Sequence, residues 1–153
     1  MTTPAPVATI ADRKVSASIV VAAPPAEVFA LLANPHRHCE IDGSGTLQGA
    51  VSGPDRLALG DRFGMHMKIK LPYRITNEVV EFEADRRIAW CHFAKARWRY
   101  ELEPVLDGTQ VTETFDYSGS PLPVRLFIET TGFPNGNARS IRDTLLRLQQ
   151  HFA

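Results

Sequence analysis

The chain has 153 residues, enough for one domain with a substantial core. Its 17 Lys and Arg balance 17 Asp and Glu, so the zero formal net charge indicates no overall basic surface for nucleic acid or anionic membranes. No apolar run approaches the roughly 18 residues of a membrane-spanning helix. We therefore expect no nucleic-acid partner and no stable membrane insertion.

The composition predicts a short disordered lead over residues 1–12 and a single domain over residues 13–153. The lead lacks the charged start and apolar stretch of a secretory signal. The two cysteines, Cys39 and Cys91, have no C-x-x-C spacing and are expected to be reduced thiols. These features favour a cytoplasmic location.

The first elements are predicted to be a strand and two short helices. Residues 15–21 are rich in β-branched side chains and form the strand. Pro25 is compatible with the first turn of a helix, and Asn34-Pro35 ends that helix. Residues 36–41 can form a second short helix. The apolar face of the first helix comprises Val28, Phe29, Leu31 and Leu32.

Six strands joined by short connections then predict an antiparallel meander. The first four cover residues 46–51, 61–69, 73–82 and 87–93, and the last two lie within residues 97–118. After Pro121, residues 122–131 can be helical, whereas Gly132, Pro134 and Gly136 predict a break. A clear amphipathic helix follows from Asn137. Its apolar stripe comprises Ile141, Leu145, Leu148 and Phe152.

The last two strands can be aligned residue by residue. Asp107-Gly108 predicts a two-residue type I′ turn because both residues tolerate positive φ. Leu106 then opposes Thr109, and counting back gives one aromatic face and one charged face. On the aromatic face, the predicted pairs are Leu102 with Glu113, Tyr100 with Phe115 and Trp98 with Tyr117. The predicted outer pairs, expected to be exposed, are Arg99 with Asp116 and Glu101 with Thr114.

Glu113 is the one carboxylate predicted on the aromatic face. Loss of hydration should raise its pKa unless a cation lies beside it. His92 is a candidate partner, and its orientation depends on the length of the loop that follows it, at Ala94-Lys95-Ala96. A three-residue loop places His92 opposite Trp98 on the inner face, whereas a two-residue loop places Cys91 there instead.

A run of metal-ligating residue types lies in the second short helix and its loop. His36 and His38 are two apart, which directs them to different sides of a helix, and no second ligand set has suitable spacing. We expect a polar loop at a cavity mouth, with no metal and no cofactor. The run comprises His36, His38, Cys39, Glu40 and Asp42.

The order of elements resembles the helix-grip fold of the SRPBCC superfamily, which includes START-type lipid carriers and polyketide cyclase/dehydrase-like proteins. The resemblance is carried by VVAAPPAEVFALLANPHRHCEIDGSG, GDRFGMHMKIKLPYRITNEVVEFEADRRIAW and WRYELEPVLDGTQVTETFDYSG. It implies an α+β fold in which a curved antiparallel sheet wraps around a long C-terminal helix, with two short helices after the first strand. A deep cavity is expected between sheet and helix.

The sequence favours binding of a small, mostly apolar, lipid- or polyketide-like molecule by a carrier or sensor, which acts as a monomer or homodimer. A cyclase, dehydratase or hydrolase that uses Glu113 and His92 is one alternative, and a protein-partner module with a vestigial cavity is another. Asn77 is expected to be a second polar anchor. The predicted ligand-binding residues are Phe63, Met65, Met67, Tyr73, Asn77, Trp90, His92, Trp98, Tyr100, Glu113, Phe115 and Tyr117.

Overall fold

The computed structural model describes residues 5–92 and 94–153. The strands in this part are β1 (Thr9–Ala11), β2 (Lys14–Val21), β3 (Leu47–Ser52), β4 (Arg62–Ile69), β5 (Leu71–Glu83), β6 (Arg87–Cys91), β7 (Arg97–Val105) and β8 (Gly108–Asp116). The helices are α1 (Pro25–Leu32), a 3₁₀ helix (Pro35–Glu40), α2 (Leu122–Thr130) and α3 (Phe133–His151).

The strands form one antiparallel sheet in the order β1-β2-β8-β7-β6-β5-β4-β3. The predicted meander is confirmed, because β3 to β8 are neighbours in chain order. Strand β2 closes the arrangement by pairing with β8, with Ala17 opposite Glu113. The predicted α+β helix-grip architecture, with two short helices after the strand β2, is confirmed. The strand predicted over residues 87–93 ends at Cys91, and Phe93 lies outside the described residues.

The structure corrects the prediction of a disordered lead for part of the N-terminal segment. Strand β1 pairs with the start of β2, with Ile10 opposite Val15. Asp12 and Arg13 join the two strands with positive φ angles of 53° and 58°. Such a turn usually contains glycine or asparagine, so Asp12-Arg13 is not recognisable as a hairpin turn from its residue types. Residues 1–4 lie outside the described part of the chain.

Helix α3 packs against β2 and β8 and covers one face of the sheet. Its residues Ile141, Leu145 and Leu148 are fully buried, as the periodicity predicted, and Phe152 is half-buried at its end. The helix begins at Phe133 rather than Asn137. The expected break occurs at Gly132, with φ 76°, but it is shorter than predicted because Pro134 is tolerated in the first turn of α3.

Gly43 fixes the loop after the 3₁₀ helix against α3. Its backbone N–H donates a hydrogen bond to Thr144 Oγ1 at 2.9 Å. A Cβ atom at Gly43 would collide with the backbone of Asp143 and Thr144. The absence of a side chain therefore allows the loop and the helix to meet. None of the described helices combines the length and the apolar character needed to cross a bilayer.

Candidate ligand-binding site

The register of the β7–β8 hairpin differs from the prediction by one position on each strand. The turn is Leu106-Asp107, and Val105 opposes Gly108. Gly108 has φ 143°, and a Cβ atom there would collide with the carbonyl of Val21. This glycine is therefore required for the close approach of β2 rather than for the turn. The observed pairs are Leu102 with Val111, Tyr100 with Glu113, Trp98 with Phe115, Arg99 with Thr114 and Glu101 with Thr112.

The corrected register keeps each side chain on its predicted face, because the total shift is even. It also gives Glu113 a partner that the sequence analysis missed. The Tyr100 hydroxyl donates a hydrogen bond to Glu113 Oε1 at 2.9 Å. Glu113 is only 3% exposed, and its Oε2 is buried without a hydrogen-bond partner among the described residues. One oxygen of a buried carboxyl group therefore stays available.

Burial raises the pKa of Glu113 to about 8, because the charged form loses its hydration. The hydrogen bond from Tyr100 partly opposes this rise in pKa, while the charge of Asp42 adds to it. Burial also raises the pKa of Tyr100 well above its usual value, and the neighbouring Glu113 raises it further. At neutral pH Glu113 is therefore mainly a neutral acid with one O–H donor.

An aromatic cluster lies beside this pair. Trp90 contacts Tyr100 with ring centroids 5.7 Å apart, and Phe63 meets Trp90 edge to face at 5.4 Å. His38 stacks on Trp90 at 4.9 Å and donates from Nε2 to the carbonyl of Leu32 at 2.8 Å. Burial lowers the pKa of His38 to about 4, so the imidazole is neutral. The rings are in mutual contact and form a packed cluster.

The burial of His38 corrects the expectation that it belongs to a polar loop. Pro35, His38 and Ile41 are all buried and recur every third residue. In a 3₁₀ helix residues i and i+3 lie on the same side, so this spacing forms one inward stripe. The period of three is the signal that identifies His38 as an interior residue.

Three other members of the metal-type run have separate partners, and Cys39 is an exposed free thiol. His36 hydrogen-bonds to the carbonyl of Gly53 through Nε2 at 2.9 Å. Glu40 accepts from Arg37 at 3.0 Å. Asp42 accepts hydrogen bonds from its own loop, including one from the Leu47 backbone at 3.1 Å. Within residues 5–92 and 94–153, no three potential ligands come together to hold a metal ion.

The loop between β6 and β7 is longer than either predicted alternative. Trp90 opposes Trp98, and residues 92–96 form the connection. His92 therefore lies in the loop rather than opposite Trp98, and its Nδ1 accepts from the Ala94 backbone at 3.3 Å. Burial lowers the pKa of His92. Glu113 lies in a different row of the sheet, beside Tyr100, so the structure does not bring His92 and Glu113 into one cross-strand pair.

The other predicted lining residues differ in their burial. The side chains of β5 alternate between the two faces of the sheet up to Val79, and a bulge before Glu81 then shifts this alternation. Tyr73 is 38% exposed near the end of the β4–β5 hairpin. Met67 and Trp98 are half-buried. The buried members are Phe63, Met65, Asn77, Trp90, Tyr100, Glu113, Phe115 and Tyr117.

The outer face of the sheet carries a network of ion pairs. Arg99 donates to Glu81 at 2.8 Å and to Asp116 at 3.3 Å, and Arg97 also donates to Glu81 at 2.8 Å. The side chains of Arg99 and Asp116 are only 15% and 11% exposed. The prediction that this pair is directly opposed and exposed was therefore wrong. Hydrogen bonds from Arg99 lower the pKa of Glu81, against the effect of burial.

Two surface clefts lie away from Glu113. One, of about 290 Å³, is on the outer face and is lined by residues such as Arg86, Glu101 and Gln110. The other, of about 510 Å³, lies between the N-terminal segment at Val7 and the helix α3 at Arg142. Neither is the cavity expected between the sheet and α3, so that cavity stays a prediction.

The architecture is similar to that of solved structures of the helix-grip class. The polyketide_cyc-like protein Cgl2372 of Corynebacterium glutamicum aligns with a TM-score of 0.59 and 21% identity over 90% of each chain. The Aha1 dimer of Colwellia psychrerythraea aligns with a TM-score of 0.64 and 14% identity, over 91% of this chain and 95% of the other. At these identities the likeness concerns the fold alone.

The sequence match defines the family. The family model described as polyketide cyclase / dehydrase and lipid transport matches residues 12–153. The uncharacterised protein Rv0088 of Mycobacterium tuberculosis is 44% identical over 146 residues, or 92% of this chain. The chain spans 64% of the length of that relative. The chain therefore belongs to the polyketide cyclase/dehydrase and lipid transport family, and its family and fold support a ligand-binding domain of SRPBCC type.

Proposed function

We propose that the protein binds a small, mostly apolar molecule against the inner face of the sheet, as a carrier or sensor. The observation that carries the proposal is Glu113 Oε2, which is buried without a hydrogen-bond partner among the described residues. Buried polar atoms are rarely left unpaired, because doing so costs about 1–3 kcal/mol. A ligand atom that pairs with this oxygen would remove that cost.

The chemistry of Glu113 defines the expected ligand. A neutral carboxylic acid presents one O–H donor, which favours a carbonyl or hydroxyl oxygen on the ligand. Tyr100 holds the other carboxyl oxygen and so orients the group. Trp90, Phe63 and Met65 on the same inner face are buried and apolar, which favours a ring or chain with few polar atoms. A monocarbonyl lipid or an aromatic polyketide fits these requirements.

Binding requires rearrangement of the aromatic cluster, since its rings are in mutual contact. Met65 and the half-buried Met67 lie on the same face of β4 and can repack around an irregular ligand. The proposal therefore places the ligand where side chains now contact each other. Residues that move on binding should come from the cluster and from the β4–β5 hairpin.

Native mass spectrometry of the purified protein tests the proposal. A co-purifying apolar molecule that leaves on mild denaturation supports it and identifies the chemical class. A second test measures the uptake of Nile red, an apolar dye with a carbonyl acceptor. Glu113→Met, which keeps the length of the side chain but has no donor, should weaken dye binding about tenfold, the effect of one buried hydrogen bond. Glu101→Met, on the outer face, is the matched control and should leave the affinity unchanged. Equal effects of both substitutions would contradict the proposal.

A second candidate is an enzyme of cyclase or dehydratase type. It is favoured by the pKa of about 8 at Glu113, which is near the value that suits a general acid or base at neutral pH. The buried phenol of Tyr100 would position the carboxyl group rather than react. Glu113→Gln distinguishes the candidates once a substrate is known. In an enzyme it abolishes turnover, because an amide cannot transfer the proton, and largely preserves affinity, because the amide still donates a hydrogen bond. In a carrier there is no turnover to lose.

A further inference from the structure

We propose that the tip of the β4–β5 hairpin, residues 66–74, docks on an anionic lipid surface. The tip extends past the end of β6, while β3 still pairs with β4 as far as Met67. Strand β5 pairs with β6 only from Glu78 onward, so residues 71–77 have no β6 partner in the described structure. At about 3.3 Å per residue this uncovered part of β5 is roughly 23 Å long.

One face of the tip is apolar and exposed. Ile69 opposes Leu71, and Met67 opposes Tyr73. Ile69 is 55% exposed and Leu71 is 75% exposed. These side chains continue the inner-face stripe of β4 past the point where the core ends. Exposed apolar residues grouped in this way are typical of an interaction surface.

The opposite face and the turn carry only positive charge. Lys68 and Arg74 are exposed on the outer face, and Lys70 lies at the turn with φ 65°. No Asp or Glu occurs between Asp61 and Glu78. The neighbouring strand β3 contributes no charge, because its sequence is LQGAVS. A chain of zero net charge therefore concentrates cations around one apolar projection.

This combination fits the interface of an anionic bilayer. Apolar side chains enter the acyl boundary, while lysine and arginine reach the headgroups along their aliphatic stems. Each cation near an anionic leaflet contributes attraction, which salt weakens. A nucleic acid would pair with the cations and leave Ile69 and Leu71 in water. The lipid surface is the partner that both faces of the tip fit.

Vesicle co-sedimentation tests the proposal, with phosphatidylcholine vesicles compared with vesicles that also contain phosphatidylglycerol. The whole chain should bind the anionic vesicles and only weakly the neutral ones, and added salt should release it. The double variant Lys68→Gln/Lys70→Gln should weaken binding about twenty-five-fold, or about fivefold for each lysine. Leu71→Ser should weaken binding about tenfold.

Two controls separate the tip from other exposed groups. Leu106→Ser removes a fully exposed leucine from another hairpin turn, and Arg139→Gln removes an exposed cation from α3. Neither should change binding. Equal binding to neutral and anionic vesicles would overturn the proposal, and so would equal loss in the tip variants and controls. The effects of salt and of Lys68 and Lys70 concern only the contact with the headgroups, so their absence would overturn the docking proposal and leave the proposed inner-face site untouched.

Discussion

Glu113 on the inner face of the sheet and Glu81 on the outer face have pKa values that are shifted in opposite directions. On the inner face, burial raises the pKa of Glu113 to about 8, and its hydrogen bond comes from a neutral phenol. On the outer face, Arg99 and Arg97 lower the pKa of Glu81. Both carboxylates are largely removed from solvent. The difference shows that full burial beside a neutral donor favours the neutral acid, whereas arginine partners favour the ionised form of a less deeply buried acid, so the inner face offers the neutral donor to a ligand.

The largest expected effect is on the pH dependence of stability. The pKa of Glu113 is about 8 in the folded protein and near 4.5 when unfolded. Its stabilisation is therefore complete below pH 4.5 and is lost as the pH rises to 8, by about 1.4 kcal/mol per unit and about 3–5 kcal/mol in all. Glu113→Gln should remove this loss, as measured by urea denaturation across that pH range.

His38 adds a second contribution to the pH dependence of stability. Its folded pKa of about 4 lies below the usual histidine value of 6.5, so its contribution is lost as the pH falls from 6.5 to 4. Between pH 4.5 and 6.5 the two slopes oppose each other in the wild type. Glu113→Gln should therefore turn a flat region into a rise. The outer-face control Glu101→Gln should keep the wild-type shape, and a variant profile that matches wild type would contradict a neutral, buried Glu113.

The next largest effect should come from loss of packing between α3 and the inner face of the sheet. Leu145 on α3 is fully buried in the core. Leu145→Ala should lower the free energy of unfolding by about 2–5 kcal/mol, because it removes buried methyl groups and leaves a cavity. The denaturation midpoint measures this change. Arg147→Ala, two residues further on the exposed side, is the control, and an equal shift in both variants would contradict the placement of α3.

The outer face should lose less when its central cation is removed. Arg99→Met leaves Glu81 with Arg97 but removes the contact of Arg99 with Asp116. We expect a loss of about 2 kcal/mol, below the full effect of breaking a buried pair because the network stays partly solvated. Arg87→Met is the control, since this arginine is 46% exposed and should contribute about 0–1 kcal/mol. Equal losses would show that the network has no buried centre.

The smallest expected effect concerns the phenol that orients Glu113. Tyr100→Phe removes one hydrogen bond while it preserves the ring, so stability near neutral pH should fall by about 1 kcal/mol. The pKa of Glu113 should rise further, because the Tyr100 hydroxyl partly holds it down. Thermal denaturation and a pH titration measure the two changes. Tyr73→Phe on the exposed hairpin is the control, and an unchanged Glu113 pKa would contradict the role of the hydroxyl.

Much of the fold and of the face assignment could be predicted from the sequence. Alternation in β7 and β8 identified the inner aromatic face and Glu113 on it, because side-chain direction has a period of two. The exact partners could not be predicted, since Gly108 resembles a turn glycine and is in fact required for contact with Val21. Tyr100 as the donor to Glu113 followed only from the corrected register.

Other errors had equally local causes. The hairpin turn at Asp12 and Arg13 contains no glycine, so β1 was missed. The burial of His38 depends on a period of three, which a search for α-helical spacing does not detect. The open cavity belongs to what the resemblance implies and stays a prediction, while the rings of the aromatic cluster are in mutual contact. The spacing of residues predicts well which face of a strand or helix each side chain occupies. Close contacts between segments that are distant in the sequence require the three-dimensional structure.

The most direct test of the account is an NMR titration of the Glu113 side-chain carboxyl carbon, assigned by comparison with Glu113→Gln. We expect a titration midpoint near pH 8, because burial disfavours the charged form of Glu113 and only the Tyr100 hydroxyl opposes that effect. Addition of Nile red should shift the midpoint, since the dye would pair with the remaining oxygen. A midpoint near 4.5 in the free protein would contradict the claim that the inner face holds a neutral acid ready to bind a ligand.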